Sequence, residues 1–294
     1  MKPRAQTHRI LPIIALLAMA SLTACGSGTS SAPPPASQAP TTPTTLRMIN
    51  NNGHRLAFHV TPGRRPTIVL DAGGGEDSSE WKDIVPKLHA ATGSEIITYD
   101  RAGMGASDEV PGPWNVQHAV DDLETGLKTL GATSNIILVS HSQAGEIATY
   151  FARANPQQLS GAVLVDASLP PLYTNQEISR LVAATKPQLD AAKQNKSSKA
   201  NRQLIALAES YVPMHRAYHK VTWPTSVPAT VIVSEKTPFD GSPTDAQRWR
   251  DAATAFAAAG PNRTLITAKG SSHEIPKDRP ALILQEIEKL ASHT

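Results

Sequence analysis

The chain has 294 residues, of which 40% are hydrophobic and 18% charged, so it is long enough for a sizeable core and has the composition of a globular protein. Its formal net charge of +3 is too small to indicate a nucleic acid as a partner. The sequence has neither the Cys/His spacing of a zinc site nor the GxxxxGK phosphate-binding loop. We therefore expect no metal, no cofactor and no nucleic acid to be bound.

Residues 1–24 have the pattern of a secretory signal peptide. Lysine and arginine precede an apolar run at 10–20, which is too short to span a bilayer as a mature helix. The ending Leu-Thr-Ala-Cys at 22–25 resembles the lipobox of bacterial lipoproteins. That resemblance implies cleavage before Cys25 and lipid on its sulfur. The alternative is an ordinary signal peptide with an incidental cysteine.

The segment after the cleavage site has the composition of a linker. Residues 25–45 consist almost entirely of Ser, Thr, Pro, Gly and Ala once Cys25 is set aside, and the prolines favour extended structure. Cys25 is the only cysteine, so no disulfide can form within one chain. We expect a tether that holds a folded domain, residues 46–294, at the membrane of a bacterial cell envelope through several acyl chains.

Strand and helix patterns alternate through the domain. After an edge hairpin around 46–60, the apolar strand segments are 67–70, 95–99, 136–139, 162–165, 229–233 and 264–268. The helical segments between and after them are about 80–91, 116–130, 143–154, 244–259 and 279–292. Several strand segments are continuously apolar, which is typical of a parallel sheet covered on both faces. The alternation predicts an α/β domain with a mostly parallel central sheet flanked by helices.

One long segment without a strand pattern follows the sixth strand, at about 168–228. It contains helical patterns at 174–185, 187–194 and 198–219, and its lysines and arginines outnumber its acids. An insertion here would lie above the carboxyl ends of the strands, where open α/β sheets bind ligands. We interpret it as a helical lid. The alternative for its charges is a solvated basic face without a role in binding.

A serine lies between small residues where a predicted strand meets a predicted helix. The strand segment 136–139 leads to Ser140, His141, Ser142, Gln143 and Ala144. Strand, then small-x-Ser-x-small, then helix is the context of a nucleophile elbow, a sharp turn that exposes the serine above the sheet. The backbone N–H of the residue after the serine then lies at a helix N-terminus, where negative charge is favoured.

Three further segments match a known family in order. The glycine-rich stretch 70–81 and the glycine-spaced stretch 99–108 each follow a strand, and 270–280, which reads GSSHEIPKDRP, follows the last strand. Together with the elbow, these segments resemble the signatures of the α/β-hydrolase superfamily over residues 47–292. The glycine pattern of the elbow is incomplete, because both flanking positions hold other small residues.

The resemblance implies roles for particular residues. It makes Ser142 the nucleophile and His273 the base, and it makes the backbone N–H groups of Gly74 and Gln143 the oxyanion hole. The preceding glycine is an alternative first donor, because the family's histidine-glycine pair reads Ala-Gly here. His141, beside the nucleophile, matches a frequent family residue that shapes the pocket.

The acid of the triad is less clear in the sequence. The family's usual aspartate position, in the loop 234–240, holds Thr237, which cannot carry the negative charge that orients the histidine. Asp166, at the end of the preceding strand, is our choice, because some family members take their acid from that strand end. Asp240 and Glu235 are the alternatives, and all three keep the chain order Ser, acid, His.

The function implied is hydrolysis of a small-molecule ester by a lipid-anchored serine hydrolase, most simply a carboxylesterase acting on small or medium esters. A serine nucleophile argues against dehalogenase and epoxide hydrolase chemistry, which use aspartate in this family. An amidase or peptidase, a carbon–carbon bond hydrolase and a cofactor-free perhydrolase use the same motifs. A hydrolase-fold protein that binds without catalysing is a further alternative, and protein partners are not indicated.

Overall fold

The computed structural model describes residues 43–292, in which eight strands form one sheet. The strands are β1 (Thr45–Asn51), β2 (His54–Thr61), β3 (Arg64–Asp71), β4 (Ser94–Asp100), β5 (Ile136–His141), β6 (Leu159–Val165), β7 (Ala229–Lys236) and β8 (Arg263–Ser272). Their order across the sheet is β1-β2-β4-β3-β5-β6-β7-β8. The pairs β1–β2 and β2–β4 are antiparallel and the remaining neighbours are parallel, so the predicted mostly parallel sheet is confirmed.

The helices are α1 (Val85–Thr92), α2 (Val116–Leu130), α3 (Ala144–Ala154), α4 (Asn175–Gln194), α5 (Lys199–Tyr218), α6 (Pro243–Ala258), α7 (Ile275–Asp278) and α8 (Pro280–Ala291). The short helix α7 matches no predicted segment, and the bounds of the others agree with the predicted segments except at two places. The segment predicted as one helix over 80–91 is a short 3-10 helix, Ser78–Trp81, followed by α1. Pro86 lies in the first turn of α1, where its missing N–H has no helical partner to lose, and so it favours a new helix start there.

The second difference concerns Pro187. The sequence predicts a break between 174–185 and 187–194, yet α4 runs continuously through both. Proline removes the hydrogen bond to the carbonyl four residues earlier, which here belongs to Ala183. Both residues are exposed, so water can satisfy that carbonyl and the helix continues.

The sheet separates two hydrophobic clusters. On β5, Ile136 and Leu138 pack into one cluster, and Ile137 and Val139 pack into the other, so the continuous apolar run is explained by burial on both faces. The first cluster includes side chains of α2, α3 and α6, and the second includes side chains of α1 and α8. The loops that follow the carboxyl ends of β3, β5, β6 and β8 carry the candidate site residues.

Helices α4 and α5 lie between β6 and β7, in the segment predicted as a helical insertion. The buried Tyr218 of α5 donates a hydrogen bond to the carbonyl of Ser168, at 2.9 Å between the oxygens. His215 of α5 contacts Glu146 of α3, with 3.1 Å between Nε2 and Oε1. These buried contacts fix α5 against the helix that follows the candidate nucleophile.

The predicted signal peptide, Cys25 and the tether up to residue 42 lie outside the described residues. Strand β1 begins at Thr45, next to the predicted start of the domain at Leu46. Among the helices within residues 43–292, none is both long enough and apolar enough to cross a membrane.

Candidate active site

Ser142 lies in the sharp turn between β5 and α3. Its backbone has a φ of 53°, in the left-handed region, and its N–H donates to the carbonyl of Val165 at 3.0 Å. Its own carbonyl accepts from the N–H of Ser168 at 2.8 Å. A Cβ at Gly145 would lie 2.7 Å from the side chain of Ala167, so the turn needs a glycine there. These contacts hold a non-glycine residue in a strained conformation, which is a property of functional sites.

The structure brings Ser142, His273 and Asp166 together in one chain of hydrogen bonds. His273 lies between β8 and α7, and its Nε2 is 2.9 Å from Ser142 Oγ. Its Nδ1 is 2.6 Å from Asp166 Oδ2. With the ring proton on Nδ1 and donated to the carboxylate, Nε2 is free to accept the proton of the serine hydroxyl. All three side chains are buried.

Asp166 accepts hydrogen bonds from three residues. Besides His273, Ser234 donates through its backbone N–H at 2.9 Å and its hydroxyl at 2.7 Å, and Trp249 Nε1 donates at 2.8 Å. Burial alone would raise the pKa of Asp166, but the bond and charge of His273 and the other donors outweigh it, and the pKa is lowered. The carboxylate is therefore held in its charged form beside the imidazole.

The alternative acids do not contact His273 in the described part of the chain. Glu235 Oε2 accepts from the backbone N–H of Gly270 at 2.6 Å, and Asp240 is exposed. Thr237, at the family's usual acid position, is buried and its hydroxyl accepts from a backbone N–H two residues later. The geometry therefore favours Asp166 over both alternatives.

Gly74 lies next to Gln143, the residue that follows the serine. A Cβ at Gly74 would lie 2.6 Å from Gln143 Oε1 and 3.3 Å from its Cβ, so the two residues are in contact. Among the described residues, neither the N–H of Gly74 nor that of Gln143 has a hydrogen-bond acceptor. The N–H of Gly73, the alternative donor, is bound to Glu80 Oε2 at 2.9 Å. Of the donors expected from the sequence, Gly74 and Gln143 thus keep N–H groups without an acceptor among the described residues, and Gly73 does not.

A model of the alpha/beta hydrolase family matches residues 68–286. The chain belongs to the α/β hydrolase family. It is 28% identical over 211 residues to a probable transporter, efuK, of Hormonema carpetanum, covering 69% of this chain and 28% of that protein. It is 26% identical over 221 residues to the uncharacterized YqjL of Bacillus subtilis, covering 74% of this chain and 80% of that protein.

Two further similarities concern esterases. This α/β hydrolase is 28% identical over 116 residues to a bifunctional esterase/perhydrolase of Acinetobacter calcoaceticus, covering 40% of the chain and 41% of that protein. The structure superposes on a thermophilic esterase from Thermogutta terrifontis with a TM-score of 0.60 and 20% identity, covering 83% of this chain and 97% of that one. At that identity the superposition shows a shared fold.

An arginine that sequence reasoning missed holds the glycine loop of this α/β hydrolase, the segment 72–75 that follows β3. Arg101 is buried, donates to the carbonyls of Ala72 and Gly73, and pairs with Asp71 at 2.6 Å. The bound carbonyls orient the loop backbone just before Gly74. The signal was present in the sequence, because Arg101 belongs to the glycine-spaced segment 99–108.

Three more partners of the site were also missed. Ser234 and Trp249 contact Asp166, and Glu80 contacts His141, with 2.6 Å between Oε1 and Nδ1. None of these three residues lies in a motif that distinguishes it from its neighbours in the sequence.

A cavity of about 270 Å³ opens beside Gln143. Its walls come from the glycine loop, from the segment after β4, from Trp114 and from the first half of α5. The lining residues are Gly75, Arg101, Ala102, Gly103, Met104, Gly105, Trp114, Gln143, Lys199, Ala200, Gln203, Leu204 and Leu207. The insertion between β6 and β7 therefore forms one wall of the space next to the candidate oxyanion hole.

Proposed function

We propose that this α/β hydrolase is a serine carboxylesterase that cleaves small to medium esters through an acyl-enzyme. The observation that carries the proposal is the buried chain Ser142–His273–Asp166 beside Gly74 and Gln143, whose N–H groups have no acceptor in the part of the chain that the structure describes. A nucleophile bonded to a base, which is in turn oriented by a third group, is the arrangement that activates a serine.

The reaction follows from these contacts. Ser142 Oγ attacks the ester carbonyl carbon as its proton passes to His273 Nε2, and the carbonyl oxygen becomes an oxyanion facing Gly74 and Gln143. Each such donor is typically worth about 3 kcal/mol in the transition state. The protonated histidine, stabilised by Asp166, gives its proton to the leaving alcohol. Water, deprotonated by the same nitrogen, then attacks the acyl carbon. The bond from the acyl carbon to Ser142 Oγ breaks, the histidine returns its proton to that oxygen, and the acid is released.

The proposed size of the acyl group comes from the cavity next to Gln143. Its volume of about 270 Å³ lies just below the range of sites for drug-sized ligands, and Met104, Leu204 and Leu207 give it apolar walls. We propose that α4 and α5 act as the lid over this space. The similarity to a bifunctional esterase/perhydrolase supports ester cleavage and makes perhydrolysis the second candidate.

The decisive experiment compares the purified full chain with Ser142→Ala. We expect the wild type to react with a fluorophosphonate probe and to turn over p-nitrophenyl esters, fastest with short and medium acyl chains. Ser142→Ala should lose both activities. Faster turnover of p-nitroanilides than of esters would favour an amidase, and peracid formation from acetate and hydrogen peroxide would favour a perhydrolase. Absence of labelling in the wild type would contradict the proposal and favour a non-catalytic binding protein.

The proposed location is the bacterial cell envelope, with the chain anchored to a membrane by lipid on Cys25. The lipobox resemblance at 22–25 and the linker composition that follows support this part of the proposal. Mass spectrometry of the N-terminal peptide should find acyl chains in the wild type. A Cys25→Ala variant that remains membrane-bound without any lipid mass would contradict lipid anchoring.

A further inference from the structure

A second histidine–carboxylate pair, Glu80 and His141, lies directly behind the proposed catalytic chain. Glu80 Oε1 is 2.6 Å from His141 Nδ1, and Glu80 Oε2 accepts the N–H of Gly73 at 2.9 Å. His141 Nε2 is 3.0 Å from the backbone carbonyl oxygen of His273. Through these bonds the pair connects three segments that are far apart in sequence: the glycine loop, the elbow and the loop that carries the base.

The contacts require a proton on both ring nitrogens of His141. A backbone carbonyl and a carboxylate oxygen can only accept a hydrogen bond, so Nε2 and Nδ1 must both donate. Burial alone would lower the pKa of His141, but the charge and hydrogen bond of Glu80 outweigh it and raise the pKa to about 9. The same pair lowers the pKa of Glu80. Near neutral pH the pair is therefore a buried ion pair.

Loss of the His141 proton would leave a lone pair facing an oxygen. If Nε2 loses it, the ring repels the carbonyl of His273; if Nδ1 loses it, the ring repels the carboxylate of Glu80. The glycine loop packs against His141, because a Cβ at Gly73 would lie 2.9 Å from His141 Nδ1. A shift of the ring would therefore move this loop. Deprotonation would thus disturb the base loop or the glycine loop directly.

We propose that Glu80 and His141 are positioning residues. They hold the loop of His273 and the glycine loop in the correct position relative to Ser142, and they do so only while His141 is protonated. This inference rests on the proposed function, since it assigns the pair a role in that reaction. It predicts that ester turnover falls as His141 loses its proton at alkaline pH.

Four titratable groups face His141. Glu80 is bonded to it, and Glu274 adds negative charge that favours its protonated form. Glu76 interacts with it through charge from the glycine loop. The ring of His273 lies 4.8 Å away, centroid to centroid. The three carboxylates all favour the charged imidazolium, so the alkaline loss follows from the whole surroundings of the ring.

Two substitutions of Glu80 separate positioning from mere packing. In Glu80→Gln the amide N–H can donate to Nδ1 of a neutral His141, while the amide oxygen still accepts from Gly73. All three bonds survive without a charge, so we expect most of kcat to be retained and the alkaline loss near pH 9 to disappear. In Glu80→Ala the bonds are lost, and kcat should fall roughly 10- to 100-fold with little change in KM, because small misplacements of reacting groups cost about that much.

Asp122→Ala is the matched control. Asp122 is also a buried carboxylate that binds a histidine and an N–H donor, His54 at 3.0 Å and Asn51 at 2.7 Å, but it lies on α2 and, within the described residues, has no hydrogen bond to Ser142, His273 or Asp166. Its removal should lower thermal stability and leave both kcat and the alkaline limb of the pH profile unchanged.

The experiment measures kcat and KM of the full chain against pH for wild type and the three variants, with Ser142→Ala rates subtracted. A Glu80→Gln profile with the wild-type alkaline limb, or a Glu80→Ala enzyme with wild-type kcat, overturns the inference. Absence of any Ser142-dependent turnover refutes the proposed function instead.

Nitrogen-15 histidine NMR tests the pair without an activity assay. His141 should keep both ring protons until about pH 9 in the wild type. A neutral ring at pH 7 overturns the inference even if Glu80→Ala does not fold.

Discussion

Two histidine–carboxylate pairs lie side by side in this protein and have opposite requirements. The His273–Asp166 and His141–Glu80 bonds both measure 2.6 Å, and the two rings are 4.8 Å apart. The second nitrogen of His273 faces the hydroxyl of Ser142, which can donate a proton. The second nitrogen of His141 faces a backbone carbonyl, which can only accept. The partner of the second nitrogen therefore decides whether such a pair can move a proton or must keep it.

The carboxylates differ in a matching way. Asp166 accepts from two further residues, Ser234 and Trp249, so in the proposed reaction its charge would remain stabilised while the proton of Ser142 moves to His273 and back. Glu80 depends on His141 and on one backbone N–H. We therefore expect the pair with more donors to tolerate a change of charge on its histidine, and the other pair not to tolerate it.

The largest effect is expected from Asp166→Asn. An amide cannot stabilise the protonated His273, and it favours the wrong tautomer, so kcat for p-nitrophenyl esters should fall about 10⁴-fold, as at other serine triads. Asp240→Asn and Glu235→Gln are the controls and should retain activity. An Asp166→Asn enzyme as active as these controls would mean that the acid had been assigned to the wrong carboxylate.

A smaller effect is expected from Trp249→Phe. This change removes one donor to the charged Asp166 and keeps the aromatic packing, so unfolding should become easier by about 1.5–3 kcal/mol. The remaining donors keep the carboxylate in place, and the kcat loss should be far smaller than for Asp166→Asn. Chemical denaturation measures the loss of stability, and ester assays of both variants compare their kcat. A fully inactive Trp249→Phe enzyme would contradict the prediction.

The smallest effect concerns the pH dependence of stability. The folded-state pKa of His141, about 9, lies above the ordinary value of 6.5. Its contribution to stability is therefore complete below pH 6.5 and is lost as the pH rises through about 9. The Tm of the wild type should exceed that of His141→Gln most near pH 6.5. The difference in Tm should become smaller as the pH approaches about 9. A gap that stays constant or widens would contradict the raised pKa.

Local patterns explain what the sequence predicted well. The apolar strand segments and the helices between them follow from burial and periodicity, and the predicted sheet was confirmed. The family was recognised from its short motifs, and the family match over residues 68–286 confirms it. The elbow at Ser142 and the loop of His273 were found because each joins a strand end to a recognisable short motif. Asp166 was chosen from a family resemblance, and its contact with His273 agrees with that choice.

Contacts between distant segments explain what was missed. Glu80 is 61 residues from His141, and Trp249 is 83 residues from Asp166, so no local pattern marks either partner. The break predicted at Pro187 was wrong because its effect depends on exposure, which single-residue propensity does not contain. Thr237 could be recognised as unable to replace an acid, but not as a buried residue of the turn.

Trp249 gives this site a natural optical signal. Its indole N–H is bonded to Asp166 at 2.8 Å, and its ring meets that of His273 edge-on, with 6.0 Å between centroids. Any event that changes the charge of His273, such as capture of an inhibitor that keeps its ring protonated, would change the electric field across the indole. Tryptophan emission can therefore follow occupancy of the site in real time, with no chromophore on the substrate.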